Sequence, residues 1–169
     1  MKKMRAEVAG NELSWQWLAL EQMSPQLMYR LLAFRESIFV VEQACPYQEL
    51  DGRDDSAWHL LGQRSGHVLA CLRVLLPPGV NSQATRRYRI GRVAVDESVR
   101  GKGLGRDMLL MAEQRIAAAD GSAEIVLDAQ SYLQPFYQAL GYAVNGAEFL
   151  EDGIPHLPMN KQLKASLEQ

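Results

Sequence analysis

Apolar and polar positions change period several times along the chain, and each change predicts an element. Ser14 to Leu20 alternates, with Trp15 and Trp17 two apart, and predicts a first strand. Ser24-Pro25 is a helix cap followed by proline at the first helical position. Leu27, Leu31, Phe34 and Ile38 then recur at helical spacing, which predicts a helix fading near Val41. A polar loop follows from about Glu42 to Ser56, and the runs Trp58–Gln63 and His67–Leu76 flank Arg64-Ser65-Gly66 as a hairpin would. Pro77-Pro78-Gly79 ends the second of these strands, and a loop is expected at about 80–88. The second half predicts a strand at Arg89–Asp96 and a helix from Leu104 to Ala119. Leu104, Met108, Met111, Ala112, Ile116 and Ala119 give that helix its apolar stripe. A short strand at Glu124–Ala129 precedes a short helix lined by Leu133, Phe136 and Leu140, which Gly141 can close in a left-handed conformation. Ser131 and Gln134 could form its capping box, while Pro135 delays its start. Strands around Tyr142–Leu150 and His156–Gln162 are expected to pair across Glu151-Asp152-Gly153-Ile154-Pro155. An antiparallel meander followed by strand–helix–strand–helix–strand predicts an α/β sandwich on one mixed sheet of about seven strands, not a doubly wound parallel fold.

Composition narrows the function classes. A chain of 169 residues without repeats or composition breaks is expected to be one domain over 1–169, with the polar residues 1–12 as a loose extension. The net charge of −2, with no basic tail, argues against a nucleic-acid partner, which needs a basic face. Cys45 and Cys71 make neither a metal-ligand spacing nor a disulfide framework, so no metal is expected. No run approaches the ~18 apolar residues of a membrane span, and Met1-Lys2-Lys3 leads into polar residues rather than a signal-peptide core. The expectation is a cytoplasmic protein without a membrane partner.

Arg100-Gly101-Lys102-Gly103-Leu104-Gly105 stands out because it joins a strand to a helix. Glycine lets the backbone approach an anion, and a helix N-terminus offers unsatisfied N–H groups and partial positive charge. A dinucleotide fingerprint counted from Gly101 would need glycine where Arg106 stands, and a Walker loop would need Ser or Thr where Gly103 follows Lys102. The remaining pattern, Arg-x-x-Gly-x-Gly between strand and helix, resembles the pyrophosphate loop of the GNAT acetyltransferase superfamily. Phe136-Tyr137 ahead of Gly141-Tyr142 resembles that superfamily's next motif, in the same order. Phe39-Val40-Val41-Glu42-Gln43, Cys45-Pro46-Tyr47, Glu49-Leu50-Asp51-Gly52-Arg53-Asp54, Ala129-Gln130 and Glu151-Asp152-Gly153-Ile154-Pro155-His156 are similar to its small bacterial ElaA-type branch. The resemblance runs from about Trp15 to Leu163.

The resemblance implies a GNAT fold and acetyl-coenzyme A as donor. It implies that Val93, Ala94 and Val95 offer main-chain groups to the pantetheine arm, with a bulge splaying the strand, and that Gly101 to Arg106 cradle the pyrophosphate. Arg100, Lys102 and Arg106 can add charge there, and Gln130 and Phe136 belong to the same donor side. The chemistry is attack of an amine on the thioester, with an N–H near Val95 as oxyanion donor and Tyr137 as the acid for the departing thiolate. Glu42, His59 and His156 are the base candidates. Arg35, Phe39, Glu49, Asp51 and Asp54 are candidates for binding a small-molecule or peptide acceptor, and a cleft bordered by Glu42, Glu49, Asp51 and Asp54 would favour a cationic amine. Arg35, Phe39, Asp51 and Asp54 with Ala70-Cys71-Leu72-Arg73 also resemble the substrate half of acyl-homoserine-lactone synthases, and a non-catalytic acetyl-coenzyme A-binding scaffold is the third reading. Exposed strand edges leave a homodimer open.

Overall fold

A computed structural model describes residues 13–78 and 86–163. The expectation for residues 1–12 lies outside these, as does most of the loop expected at about 80–88. Its last three residues, 86–88, already belong to the strand expected to begin at Arg89, because they pair with the strand at Ala123–Gln130. The strands are β1 (Ser14–Leu18), β2 (Ala57–Arg64), β3 (His67–Leu75), β4 (Arg86–Val95), β5 (Ala123–Gln130), β6 (Ala143–Val144), β7 (Phe149–Glu151) and β8 (Ile154–Leu163). The helices are α1 (Pro25–Glu36), α2 (Leu104–Ala119) and α3 (Gln134–Ala139). The sheet is mixed, in the order β1-β2-β3-β4-β5-β8-β6, with β7 paired to β8. Among the described residues it has eight strands rather than about seven, because the expected strand around Tyr142–Leu150 breaks at residues 145–148 into β6 and β7, both antiparallel to β8.

The chain divides into two compact units. In the first, residues 13–73 and 92–108, α1 begins where Ser24 Oγ accepts the Leu27 N–H at 3.2 Å. Leu31, Phe34 and Ile38 pack with Leu18, Met23, Leu61, Val68, Cys71 and Ala94 to form its core. Helicity ends near Val41 as expected, but its last stretch, Ser37–Glu42, is a π-helical turn closed by Gln43 N–H to the Ile38 carbonyl at 3.3 Å. Such widened turns occur mostly as single turns and often beside functional residues. Ser65 and Gly66, with φ of 50° and 78°, make the tight turn between β2 and β3.

In the second unit, residues 74–78, 86–91 and 109–163, β4 runs parallel to β5 over Arg86–Arg89 against Ala123–Val126. β5 pairs antiparallel with β8 along its whole length, from Ala123↔Leu163 to Gln130↔His156. Asp152 and Gly153, at φ of 49° and 81°, make a two-residue turn, tighter than the five-residue connection expected. The buried stripe of α2 is Met108, Leu109, Ala112 and Ile116, with Leu104 and Met111 half-buried and Ala119 exposed, so Leu109 replaces Ala119 in the expected list. The capping box at Ser131 and Gln134 does not form, because Ser131 Oγ donates to Glu148 Oε2 at 2.7 Å. Gly141 does close α3 with φ of 87°.

One polar contact ties three elements of this unit together. Lys161 Nζ donates to Glu113 Oε2 and to the Leu140 carbonyl, both at 2.7 Å, and lies 5.5 Å from the centre of the Tyr142 ring. The Tyr142 hydroxyl faces the same carboxylate, and burial followed by the Glu113 charge raises its pKa. Lys161→Met leaves Glu113, with 12% of its side chain exposed, without its cation. Urea unfolding should show a loss of about 1–3 kcal/mol, and adding Glu113→Gln should recover most of it.

Candidate active site

The strand-to-helix connection has the local geometry that its sequence suggests. β4 ends at Val95, and Asp96 caps a 3₁₀ turn, Glu97–Val99, by accepting the Ser98 N–H at 2.9 Å. The two glycines that follow take left-handed conformations, φ 75° at Gly101 and 79° at Gly103, which side-chain-bearing residues rarely adopt. Apart from their chain neighbours, no atom of the described residues lies within 4 Å of where a Cβ would stand at either. The Asp107 N–H bonds to the Gly103 carbonyl at 3.1 Å and starts α2. The N–H groups of Leu104, Gly105 and Arg106 therefore have no partner within the helix. Lys102 and Arg106 are exposed. Arg100 turns back instead, donating from Nε to the Val95 carbonyl at 2.8 Å and pairing with Glu42 at 2.7 Å.

The backbone of β4 before this loop is bent at Arg92, whose φ is 52°. A non-glycine residue held there costs about 1–3 kcal/mol and persists only where its surroundings enforce it. Cys71 is on β3, and its thiol donates to the Arg92 carbonyl at 3.3 Å and accepts the Ala94 N–H. The Asp96 N–H bonds to Leu69 O at 2.8 Å. Ala94 and Asp96 thus point their N–H groups at β3. By strand alternation, the N–H groups of Val93 and Val95 lie on the opposite edge. Burial pushes the Cys71 thiol up to about 12, so it serves as a hydrogen-bonding neutral group at physiological pH.

The loop after α1 carries the acidic residues, and the structure pairs them with arginines. Arg35 is 1% exposed. It donates to Glu49 Oε1 at 2.7 Å and to Asp54 Oδ1 at 2.6 Å. Arg73 reaches Asp54 Oδ1 at 2.9 Å and grips Asp51 with two bonds of 2.8 and 2.6 Å. Arg92 donates from Nε to Glu49 Oε1 at 2.6 Å and from Nη2 to the Glu49 carbonyl at 2.9 Å. Its guanidinium lies 6.0 and 5.7 Å from the centres of the Phe39 and Tyr47 rings. Three cations and three carboxylates alternate around this cluster. The hydrogen bonds from Arg73 hold Asp51 well below the usual carboxylate range, although its partial burial opposes this. At Asp54 burial opposes ionisation most strongly, yet hydrogen bonds from Arg35 and Arg73 outweigh it and lower the pKa.

The base candidates occupy different settings. Glu42 is exposed and paired with Arg100. His59 is 2% exposed, with its Nε2–H on the Asp54 carbonyl at 2.9 Å, and burial lowers its pKa. The carbonyl can only accept, so neutral His59 has its lone pair on Nδ1. His156 donates from Nδ1 to the Ile154 carbonyl at 2.8 Å, which leaves its Nε2, 3.8 Å from Glu151, as the basic nitrogen. Tyr137 is the buried residue of α3, set edge-on against Phe136 at 5.1 Å and Tyr142 at 5.8 Å between ring centres. Burial pushes its phenol up to about 12. Gln130, the last residue of β5, is half-buried and sits opposite His156 in the ladder.

Arg35, Phe39, Glu49, Asp51 and Asp54 come together, as do Val93 to Arg106 along one stretch of backbone. Arg92 is an addition that sequence reasoning missed, while Cys71 and Arg73 had entered only within the stretch Ala70-Cys71-Leu72-Arg73 and without these contacts. The available signal was a charged residue inside an otherwise apolar strand, together with three loop carboxylates that need partners if buried.

Asp51→Asn removes a carboxylate whose folded pKa is depressed, so the stability it contributes is present above about pH 3.9 and is lost as the pH falls through the folded value below that. Chemical denaturation at pH 7 should show a loss of about 1–3 kcal/mol. The gap from the unsubstituted protein should narrow as the pH drops below about 4.

Residues 67–163 match the family described as "Acetyltransferase (GNAT) domain". The protein ElaA of Escherichia coli strain K12 is 34% identical over 153 residues, covering 89% of this chain and 97% of that protein. The crystal structure of Escherichia coli ElaA superposes with a TM-score of 0.79 at 33% identity, over 88% of this chain and 99% of that one. An acyl-CoA N-acyltransferase from Pseudomonas aeruginosa superposes with a TM-score of 0.80 at 36% identity, over the same shares of 88% and 99%. The acyl-homoserine-lactone synthase LasI shares the fold alone, with a TM-score of 0.74 at 16% identity over 92% of each chain. The chain belongs to the GNAT acetyltransferase family, in its ElaA-type branch.

Proposed function

We propose that this protein is an N-acyltransferase that moves an acetyl group from acetyl-coenzyme A to an amine by direct attack on the thioester. The observation that carries the reading is the left-handed Gly101–Gly103 turn, open on its Cβ side and running straight into α2. Backbone N–H groups at a helix N-terminus with neighbouring Lys102 and Arg106 suit a pyrophosphate. The Val93 and Val95 edge of β4 supplies main-chain donors, which suits an amide-bearing pantetheine arm and, at Val95, the oxyanion of the tetrahedral intermediate.

Tyr137 is the acid in this reading. A phenol raised to about 12 stays protonated throughout the working range of pH. It lies well above a thiol at ~8.5, so it stabilises the departing thiolate by donating a hydrogen bond rather than by surrendering its proton completely. The acceptor amine, at about 8 to 10.4, is largely protonated near neutrality and must lose a proton before attack. Glu42, His59 and His156 are the candidates for that step, and His156 offers a basic Nε2 in a fixed tautomer.

The acceptor side is revised by the charge pairing. Glu49, Asp51 and Asp54 are neutralised by Arg35, Arg73 and Arg92, so these carboxylates support the shape of an acceptor site rather than capture of a cation. The acceptor is a small-molecule or peptide amine.

A thiol-release assay with acetyl-coenzyme A over a panel of polyamines, amino acids, aminoglycoside-type amines and peptide N-termini tests the reading. Binding of acetyl-coenzyme A without release for any amine would sink it in favour of a non-catalytic scaffold. Tyr137→Phe should lower kcat about 100-fold with little change in KM for acetyl-coenzyme A, and the unsubstituted enzyme should show no alkaline limb from this group below pH ~11. Full kcat in Tyr137→Phe across the pH range would remove Tyr137 from the mechanism.

A further inference from the structure

The bend in β4 needs a cause, because an arginine at φ 52° is not where a strand settles by itself. Two sets of contacts act on that residue. On its main chain, the Cys71 thiol donates to the Arg92 carbonyl at 3.3 Å and accepts the Ala94 N–H, so a side chain of β3 holds the backbone on both sides of Val93. On its side chain, the guanidinium forks over Glu49, reaching the carboxylate at 2.6 Å and the carbonyl of the same residue at 2.9 Å, with Asp51 at 3.4 Å. Phe39 and Tyr47 bracket it, at 6.0 and 5.7 Å. Phe39 is itself placed by the π-helical turn after α1. Glu49 cannot follow a moving Arg92, because its Oε1 is also bonded to the buried Arg35. The side chain of Arg92 is therefore anchored at its far end to a fixed point, and the direction of the next three residues follows from it.

We propose that Arg92 is a positioning residue for acyl transfer. Its guanidinium, fixed on Glu49 between Phe39 and Tyr47, holds the left-handed turn of β4 that presents the Val93 and Val95 N–H groups. This rests on the reading of Val93–Val95 as the donor strand. It differs from a purely electrostatic role, in which Arg92 only balances the charge of Glu49 and any cation would serve. Lysine supplies the charge without the two-pronged, stacked geometry. Glycine supplies the backbone freedom without the anchor.

The test compares Arg92→Lys and Arg92→Gly with the unsubstituted protein, with concentrations set by titration of coenzyme A-binding sites. Hydrogen exchange of the Ala94 and Asp96 amides is measured against Leu127 and Ala129 in the β5–β8 ladder. Both variants are expected to exchange at least about 10-fold faster at Ala94 and Asp96, with the ladder unchanged. Their kcat with an accepted amine should fall about 10–100-fold, while KM for acetyl-coenzyme A moves less than about threefold because the pyrophosphate loop is intact. Glu49→Gln should give the same pattern, and its effect should not add to that of Arg92→Gly. Unchanged exchange in both variants, or full kcat in Arg92→Lys, would overturn the role of Arg92. An unsubstituted protein that turns over no amine overturns the acyl-transfer reading itself, whereas the exchange measurement still reports whether the bracket exists.

Discussion

Three arginines drawn into the first unit by three carboxylates are the constraint from which its functional half is built. Arg35 comes from α1, Arg73 from β3 and Arg92 from β4, while Glu49 and Asp51 come from the loop before β2 and Asp54 from the 3₁₀ turn that ends it. Burying such charges is costly, and their mutual attraction offsets the cost only if every oxygen finds a donor. The cluster is therefore a poor source of net stability and a strong source of uniqueness. The loop has few apolar anchors of its own, and its path is dictated by where the guanidinium groups stand.

That constraint reaches the chemistry through the backbone. Arg92 links the loop to the bent part of β4, and β4 leads through the Asp96 cap and the left-handed glycines into the N-terminus of α2. A chain of main-chain decisions thus runs from a charge cluster to the row of N–H groups that the proposed donor would meet. The side chains on that row, Val93, Ala94 and Val95, are plain because the backbone makes the contacts.

Much of this was legible in the sequence, for physical reasons that differ by residue. Helical spacing at Leu27, Leu31 and Phe34 and the Ser24-Pro25 cap report local preferences, and α1 forms where they say. The Arg100–Gly105 stretch was legible because only glycine takes those angles easily. The split between β6 and β7 also had a signal, the turn-type Asn145-Gly146 pair followed by Glu148, which the single expected strand ran across. Arg92 was not legible. Its φ is imposed by Glu49, Phe39 and Tyr47, more than forty residues earlier in the chain, and no local preference of arginine announces it. The acidic loop was read as a possible cationic-acceptor surface because its partners, on other elements, are invisible in a one-dimensional charge count.

The shared oxygens of the cluster also limit how this protein can change. Glu49 Oε1 serves Arg35 and Arg92, and Asp54 Oδ1 serves Arg35 and Arg73. No member can be exchanged alone without leaving a charge uncompensated, and four of them, Arg35, Glu49, Asp54 and Arg73, are buried. Mutational paths through these six positions must therefore move in matched steps. On the proposed reading, new acceptor preferences would come more readily through exposed positions of the same segment such as Val41 and Leu50, which carry no such obligation of charge.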